Sequence, residues 1–194
     1  MRGLVLYSHP NPASFCAATR DIAVATLRNR GHEVRLTDLY ADGFEPSLCE
    51  HERRTHFDPD ARHGLENYTT DLQWAEALIF VYPTWWSGQP AMLKGWFDRV
   101  WQRGVAWDLE PGGPRLQPLL SNVRRIVAVT THGSSKWENA LQGESGKRML
   151  TRSIRTMCAK RTRSTWCALY GMDTSAPADR EAFLIRVERA LAKL

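Results

Sequence analysis

Three short segments concentrate the side chains that could do chemistry. They are Ser8-His-Pro-Asn-Pro-Ala-Ser14, Pro83-Thr-Trp-Trp-Ser-Gly-Gln89 and Thr130-Thr-His-Gly-Ser-Ser135. Each is made of hydroxyls, amides and small residues, the composition expected where backbone N–H groups approach a polar, flat ligand. Ser8 and Ser14, with the free N–H groups of a helical turn behind them, suit a phosphate. His9 is a second phosphate candidate, against the simpler role of bonding its own turn. Trp85 and Trp86 sit in a loop rather than a helix stripe and suit the wall of an aromatic site. His132 titrates near neutrality when unperturbed, which makes it a candidate donor to a ligand that gains charge. Cys49, His51, His56 and His63 fit no zinc spacing, so a solvated loop and no metal site are expected there.

The elements that must position these segments alternate strand and helix. Gly3-Leu-Val-Leu-Tyr7, Ala77-Leu-Ile-Phe-Val-Tyr82 and Val123-Arg-Arg-Ile-Val-Ala-Val-Thr130 are short apolar runs ending in turn residues, the mark of strands buried on both faces. Glu33-Val-Arg-Leu-Thr37 alternates and reads as an edge strand, and Ser164 to Tyr170 is a fifth. Ser14 is a good N-cap for a helix whose predicted buried stripe is Phe15, Ala18, Ile22 and Ala25, stopped by Gly31. Pro90 opens a second helix with an apolar stripe of Met92, Leu93, Trp96, Phe97, Val100 and Trp101, so Trp96 and Trp101 are expected in the core. Asn67 to Glu76, residues 138–158 and Asp179 to Lys193 are further helices. Residues 40–63 read as a long surface excursion, and Glu110 to Pro118 as a loop.

Five strands alternating with helices predict an α/β fold: a flavodoxin-like, five-stranded parallel sheet with helices on both faces. In such sheets ligands bind beyond the carboxyl ends of the strands, where the three segments above fall. No G-x-G-x-x-G follows the first strand, which disfavours a dinucleotide-binding Rossmann domain, and no G-x-x-x-x-G-K-[ST] occurs, which excludes a P-loop.

The 194 residues predict one domain, 1–194. Apolar residues at 43% and charged residues at 24% argue against disorder. No apolar run reaches the ~18 residues of a membrane span, so no membrane insertion is expected. The stretch MRGLVLYSHPNP lacks a secretory leader's apolar segment, and the four cysteines form no C-x-x-C pair, so a cytoplasmic location is expected. The formal charge of +5 does not by itself imply nucleic acid, and none is expected as a partner. Lys147 to Arg163 nevertheless holds seven basic residues and no acid, suited to a solvated face, to the 2′-phosphate of NADPH or to a polyanion.

The stretch Tyr82-Pro-Thr-Trp-Trp-Ser-Gly-Gln-Pro-Ala-Met-Leu-Lys-Gly-Trp-Phe-Asp-Arg-Val resembles the signature of flavin-dependent NAD(P)H:quinone oxidoreductases. That DT-diaphorase family also includes bacterial modulator-of-drug-activity proteins and the ancillary subunits of glutathione-gated potassium channels. Ser8-His9, Ser14-Phe15, Asp38-Leu39-Tyr40 and Thr130-Thr131-His132-Gly133 are similar to the same family, and the resemblance runs from residue 3 to about residue 190. It implies a flavodoxin-like flavin-binding domain, usually a homodimer with its sites at the interface. It also implies two-electron transfer from NAD(P)H to quinones or similar flat acceptors in a ping-pong cycle.

By that resemblance His9, Ser14, Phe15 and Cys16 lie at the flavin's phosphate end. Pro83, Thr84, Trp85, Trp86 and Ser87 line the ring, and Thr130, Thr131, His132 and Gly133 close its other edge. Trp107 borders the substrate cavity, and Trp86 and His132 are the catalytic candidates. The family's Tyr and His proton relay has no counterpart in Trp137 to Gly146, and Cys16 stands where Asn is common. FAD is favoured over FMN by the Ser14-Phe15 loop and the Lys94-Gly95-Trp96 helix. Two alternatives are a regulatory ancillary subunit of a potassium-efflux-type transporter and a flavodoxin-type electron carrier.

Overall fold

The computed structural model describes residues 1–194. In chain order the elements are β1 (Arg2–Tyr7), α1 (Phe15–Asn29), β2 (Glu33–Asp38), α2 (Glu50–Arg54), α3 (Glu66–Trp74), β3 (Ala77–Pro83) and α4 (Ala91–Val100). There follow β4 (Trp107–Leu109), β5 (Leu116–Pro118), β6 (Arg125–Thr131), α5 (Lys136–Leu141), α6 (Ser145–Arg148), β7 (Arg163–Leu169) and α7 (Pro177–Leu191). A π turn, Met149–Ser153, and a 3-10 turn, Ile154–Met157, continue α6.

The main sheet is five-stranded and parallel, in the order β2-β1-β3-β6-β7. Among these five strands that is the doubly wound 2-1-3-4-5 order, and its switch point lies between β1 and β3. The flavodoxin-like fold expected from the sequence is the fold observed. Alternation along the strands divides the core. Leu4, Leu6, Leu78, Phe80, Tyr82, Ile126 and Ala128 face α3 and α4, whereas Val5, Tyr7, Ile79, Val81, Val127 and Val129 face α1 and α7. α4 buries Leu93, Trp96, Phe97 and Val100, with Trp101 behind it, as its stripe predicted. Phe80 meets Phe97 at 5.3 Å and Trp96 at 6.2 Å, so α4 is clamped directly beneath the loop that follows β3.

Four sequence expectations are corrected. The buried face of α1 is Cys16, Ala17, Thr19, Ala23, Val24, Thr26 and Leu27. Phe15, Ala18 and Ile22 lie at its margin and Ala25 is exposed, because α1 packs between the sheet and α7 and buries a wider, rotated arc. The excursion at 40–63 contains α2 and is anchored. Phe44 enters the core, and Glu52 is buried in a 2.6 Å ion pair with Arg99 of α4. A Cβ at Gly95 would collide with Pro46, so Gly95 is what lets this excursion lie on α4. The Glu110 to Pro118 loop closes through β4–β5 pairing, with Leu109 opposite Leu116. Residues 138–158 are mainly helical, but the helix breaks at residues 142–144 and then changes pitch twice, from α through π to 3-10. No helix is long and apolar enough to cross a membrane.

Candidate functional site

A cavity of about 630 Å³ opens beyond the carboxyl ends of β1, β3 and β6, at the switch point. The sequence placed thirteen residues around a cofactor, and twelve line this cavity: His9, Ser14, Phe15, Cys16, Pro83, Thr84, Trp85, Trp86, Ser87, Thr131, His132 and Gly133. Thr130 does not, because β-strand alternation turns its hydroxyl inward onto Thr84, at 2.8 Å. Ser8 is also excluded: it is fully buried, and its N–H continues the sheet to the Val81 carbonyl.

Trp107 lies elsewhere. The β4–β5 hairpin carries it under the excursion, where it packs on His56 and Phe57 and donates its indole N–H to the Trp101 carbonyl at 2.9 Å. His51 and His63 meet edge to face at 5.4 Å.

Each wall has a local cause. Ser14 caps α1 by accepting from Ala17 N–H, and its hydroxyl also meets Tyr7 at 3.2 Å. At the start of such a helix the first N–H groups have no helical partner, so those of Phe15 and Cys16 stay unpaired. His9 Nδ1 lies 3.0 Å from the Asn11 N–H and 3.1 Å from the Asn11 carbonyl, so the ring is turned onto its own loop.

Trp85 to Gly88 form a two-residue hairpin, with both Trp85 and Gly88 donating and accepting across it. Its central residues, Trp86 and Ser87, have φ of 49° and 61°. That left-handed pair is the geometry Asn-Gly normally supplies, and non-glycine residues there are strained. The strain holds Trp86 outward, wholly exposed at the cavity rim. The turn is strapped to the α5–α6 segment: the Ser87 carbonyl accepts from Gly146 N–H at 3.0 Å and Ser145 Oγ at 2.6 Å, and the Ser87 hydroxyl donates to Gln142.

His132 is buried and stacked on Tyr170, with ring centroids 4.6 Å apart. Its protonation is fixed by its neighbours. Asn139 donates through Nδ2 to Ser134 Oγ and the Ser135 carbonyl, both at 2.8 Å. Asn139 Oδ1 therefore faces the imidazole and accepts from Nδ1–H at 2.7 Å. Nε2 is then the acceptor, and Thr84 Oγ1 lies 3.3 Å from it. Burial lowers the imidazole pKa, and the Asn139 bond and the Glu144 charge offset this only in part. His132 is thus a neutral ring with both nitrogens engaged inside the protein. This geometry departs from the direct donor expected from the sequence. Cys16 is likewise inward: burial pushes its thiol up to about 11, against the opposing bond from Thr131.

The cavity also contains Ser134, Asn139, Gln142, Met172 and Asp173. Met172 and Asp173 follow β7 and were findable by applying the strand-exit rule to the fifth strand. Asn139 and Gln142 carried no such signal, since only the fold of α5 brings them to the rim. Two properties decide what the cavity can hold. The backbone N–H groups of Phe15, Cys16, Trp86, Ser87, Gly133 and Ser134 have no acceptor in the protein. The lining has no lysine or arginine. Six unpaired donors beside a tryptophan rim fit a flat ligand rich in acceptors, held by dipoles rather than by cations. A Cβ at Gly133 would lie 2.6 Å from the Asp173 carboxylate, so a side chain there would have to displace that exposed group.

Residues 1–193 match the protein family described as having the flavodoxin-like fold. Ribosyldihydronicotinamide dehydrogenase [quinone] of Mus musculus is 35% identical over 150 residues, which span 69% of this chain and 64% of that protein. The match thus spans less than two thirds of that relative's length. A solved NAD(P)H:quinone oxidoreductase from Methanothermobacter marburgensis superposes with a TM-score of 0.83 at 26% identity, covering 100% of this chain and 96% of that one. A solved protein from Streptococcus mutans gives 0.84 at 29% identity, with both chains fully covered.

Proposed function

The chain belongs to the flavodoxin-like family, and on that premise we propose that it is a flavin-dependent NAD(P)H:acceptor oxidoreductase acting on quinones or similar flat compounds. The observation that carries this reading is the set of six unpaired N–H donors around one tryptophan-rimmed cavity at the switch point. The similarity to quinone oxidoreductases supports it.

A flavin fits this donor set. Phe15 and Cys16 N–H, with the positive end of the 15-residue α1, would hold phosphate. Trp86, Ser87, Gly133 and Ser134 N–H would hold the acceptor atoms of the ring. We assign FAD rather than FMN. The doubly charged terminal phosphate of FMN would find no cation in the lining, whereas FAD spreads its charge over two phosphates.

When bound, a flavin would supply the hydride-transfer chemistry between NAD(P)H and the acceptor. The chain supplies orientation and electrostatics. Trp85 and Trp86, at the rim, would stack against the two flat substrates in turn. The N–H groups of Gly133 and Ser134 face developing negative charge without reorganising. His132, through Asn139 and Thr84, holds the Thr130–Ser135 loop in that arrangement and so acts as a positioning residue.

A homodimer completes the reading. Trp86 at the rim and Trp137 and Leu141 on α5 are strongly exposed, more apolar surface than an isolated domain usually leaves uncovered. The four free cysteines suit a reducing cytoplasm.

The test is to purify the protein, record its visible spectrum, release the chromophore by heat and identify it. NADH and NADPH oxidation with a simple quinone is then measured. Protein that stays colourless after incubation with FAD and FMN overturns the proposal. Scattering that gives a mass near the chain's 22.1 kDa at micromolar concentration overturns the dimer.

A further inference from the structure

At the end of the sheet opposite the cavity, Glu33 and Glu76 lie on the β2–β3 side, but the β6–β7 side is strongly basic, and nothing in the proposed chemistry uses it. Arg125 at the start of β6 pairs in register with Arg163 at the start of β7. The turn before β7 is strapped to the segment before β6. Ala159 N–H donates to Val123 at 3.1 Å, Thr162 Oγ to Val123 at 2.8 Å, and Arg163 N–H to Arg124 at 3.1 Å. That places Arg124, Arg125, Lys160, Arg161 and Arg163 together, with Arg155 on the preceding turn. All but the half-buried Arg125 are exposed. None of the six pairs with a carboxylate, although cations elsewhere in the chain do: Arg2, Arg20, Arg35, Arg54, Lys94, Arg99, Arg103, Arg115 and Lys147. No acid occurs between Glu144 and Asp173.

Beside these cations lie two exposed leucines. Leu120 N–H bonds to the Met157 carbonyl at 3.1 Å, which brings β5 and its exit against the same turn. Leu116 there is 50% exposed and Leu119 39%.

We propose that this edge is a docking surface for an anionic phospholipid bilayer. Charge complementarity selects the partner's sign, since clusters of four to eight unpaired cations are attracted to anionic headgroups. The flanking leucines select the class. Apolar side chains next to cations fit the headgroup–acyl boundary and gain nothing against a phosphodiester backbone. The exposed part of the cluster carries no aromatic side chain on which unpaired bases would stack. Docking by this edge leaves the cavity, at the other end of the strands, facing water and open to soluble cosubstrate.

The experiment is co-sedimentation of the full chain with vesicles of phosphatidylcholine alone or with roughly one third phosphatidylglycerol. Binding is expected only to the anionic vesicles at about 0.1 M salt, and is lost near 1 M, where screening shortens to about 3 Å. The combined variant Arg155→Gln, Lys160→Gln, Arg161→Gln, Arg163→Gln should lower the partition coefficient by up to about a thousandfold, with an unchanged melting temperature. Leu119→Ser should lower it several-fold and leave the salt dependence intact. Equal partition of wild type and combined variant overturns the proposal. So does complete competition by a short DNA duplex at the same phosphate concentration, which would assign the edge to nucleic acid. Neither result depends on whether flavin is bound.

Discussion

His132→Ala separates a positioning role from a donor role, and the structure sets the expected sizes. The substitution removes the partner of a buried acceptor, Asn139 Oδ1, at 2.7 Å. An unsatisfied buried acceptor costs about 1–3 kcal/mol. It also removes a ring stacked on Tyr170 at 4.6 Å, worth about 0.5–1.5 kcal/mol. Together these amount to about 3 kcal/mol, a large share of the ~5–15 kcal/mol that holds a domain folded. For a chain of this length that lowers Tm by about 10 °C.

The effect on chemistry is expected to be small. Both imidazole nitrogens already serve the protein and the ring is neutral, so the charge on reduced flavin falls to backbone N–H groups that the variant retains. Stopped-flow reduction of flavin-loaded protein by NAD(P)H should slow by less than tenfold. His132→Asn, which can still donate toward Asn139, should recover part of the lost Tm. The opposite pattern refutes the reasoning: Tm and flavin affinity unchanged, with reduction slowed by about 10²–10³, the usual cost of losing a direct donor to developing charge.

Burial lowers the His132 pKa, so the folded chain binds this proton less readily than the unfolded chain. Stability should therefore fall as pH drops below about 6.5, and His132→Asn should flatten that decline in thermal melts across pH. Burial opposes the charge on Glu52, but the Arg99 and Cys49 bonds win and hold its carboxyl below the usual range. Removing one partner of this buried pair, as in Arg99→Met, should cost about 3–5 kcal/mol by denaturant unfolding, with the loss shrinking as pH falls through the carboxylate range. Trp86→Gly relieves a left-handed φ and should stabilise the apoprotein by roughly 1 kcal/mol while raising KM for quinone; an unchanged KM removes Trp86 from the substrate wall. Alkylation followed by mass spectrometry should label the exposed Cys49 first and Cys16 and Cys158 last, their thiols being pushed up to about 11 and 12.

The strand pattern determined the sheet. Continuous apolar runs such as Ala77 to Tyr82 have one stable place, buried on both faces, and the turn residues that end them mark the carboxyl edge where a ligand binds. The cavity therefore followed from three exit loops. α4 was legible for the same kind of reason, since an apolar stripe with a 3.6-residue period can be buried in only one way. Other features depended on partners distant in sequence. Thr130 lies next to Thr131, but strand alternation turned its hydroxyl onto Thr84 and away from the cavity. His132 had an ordinary side chain by sequence. Tyr170, Asn139 and Thr84 arrive from three other segments to bury it, fix its tautomer and end its availability as a donor. Trp107 lies away from the cavity because β5, nine or more residues later, paired with its strand. The basic run from Lys147 to Arg163 was visible in the sequence. The register of β6 against β7 is what added Arg124 and Arg125 to it and set it at the end of the sheet opposite the cavity.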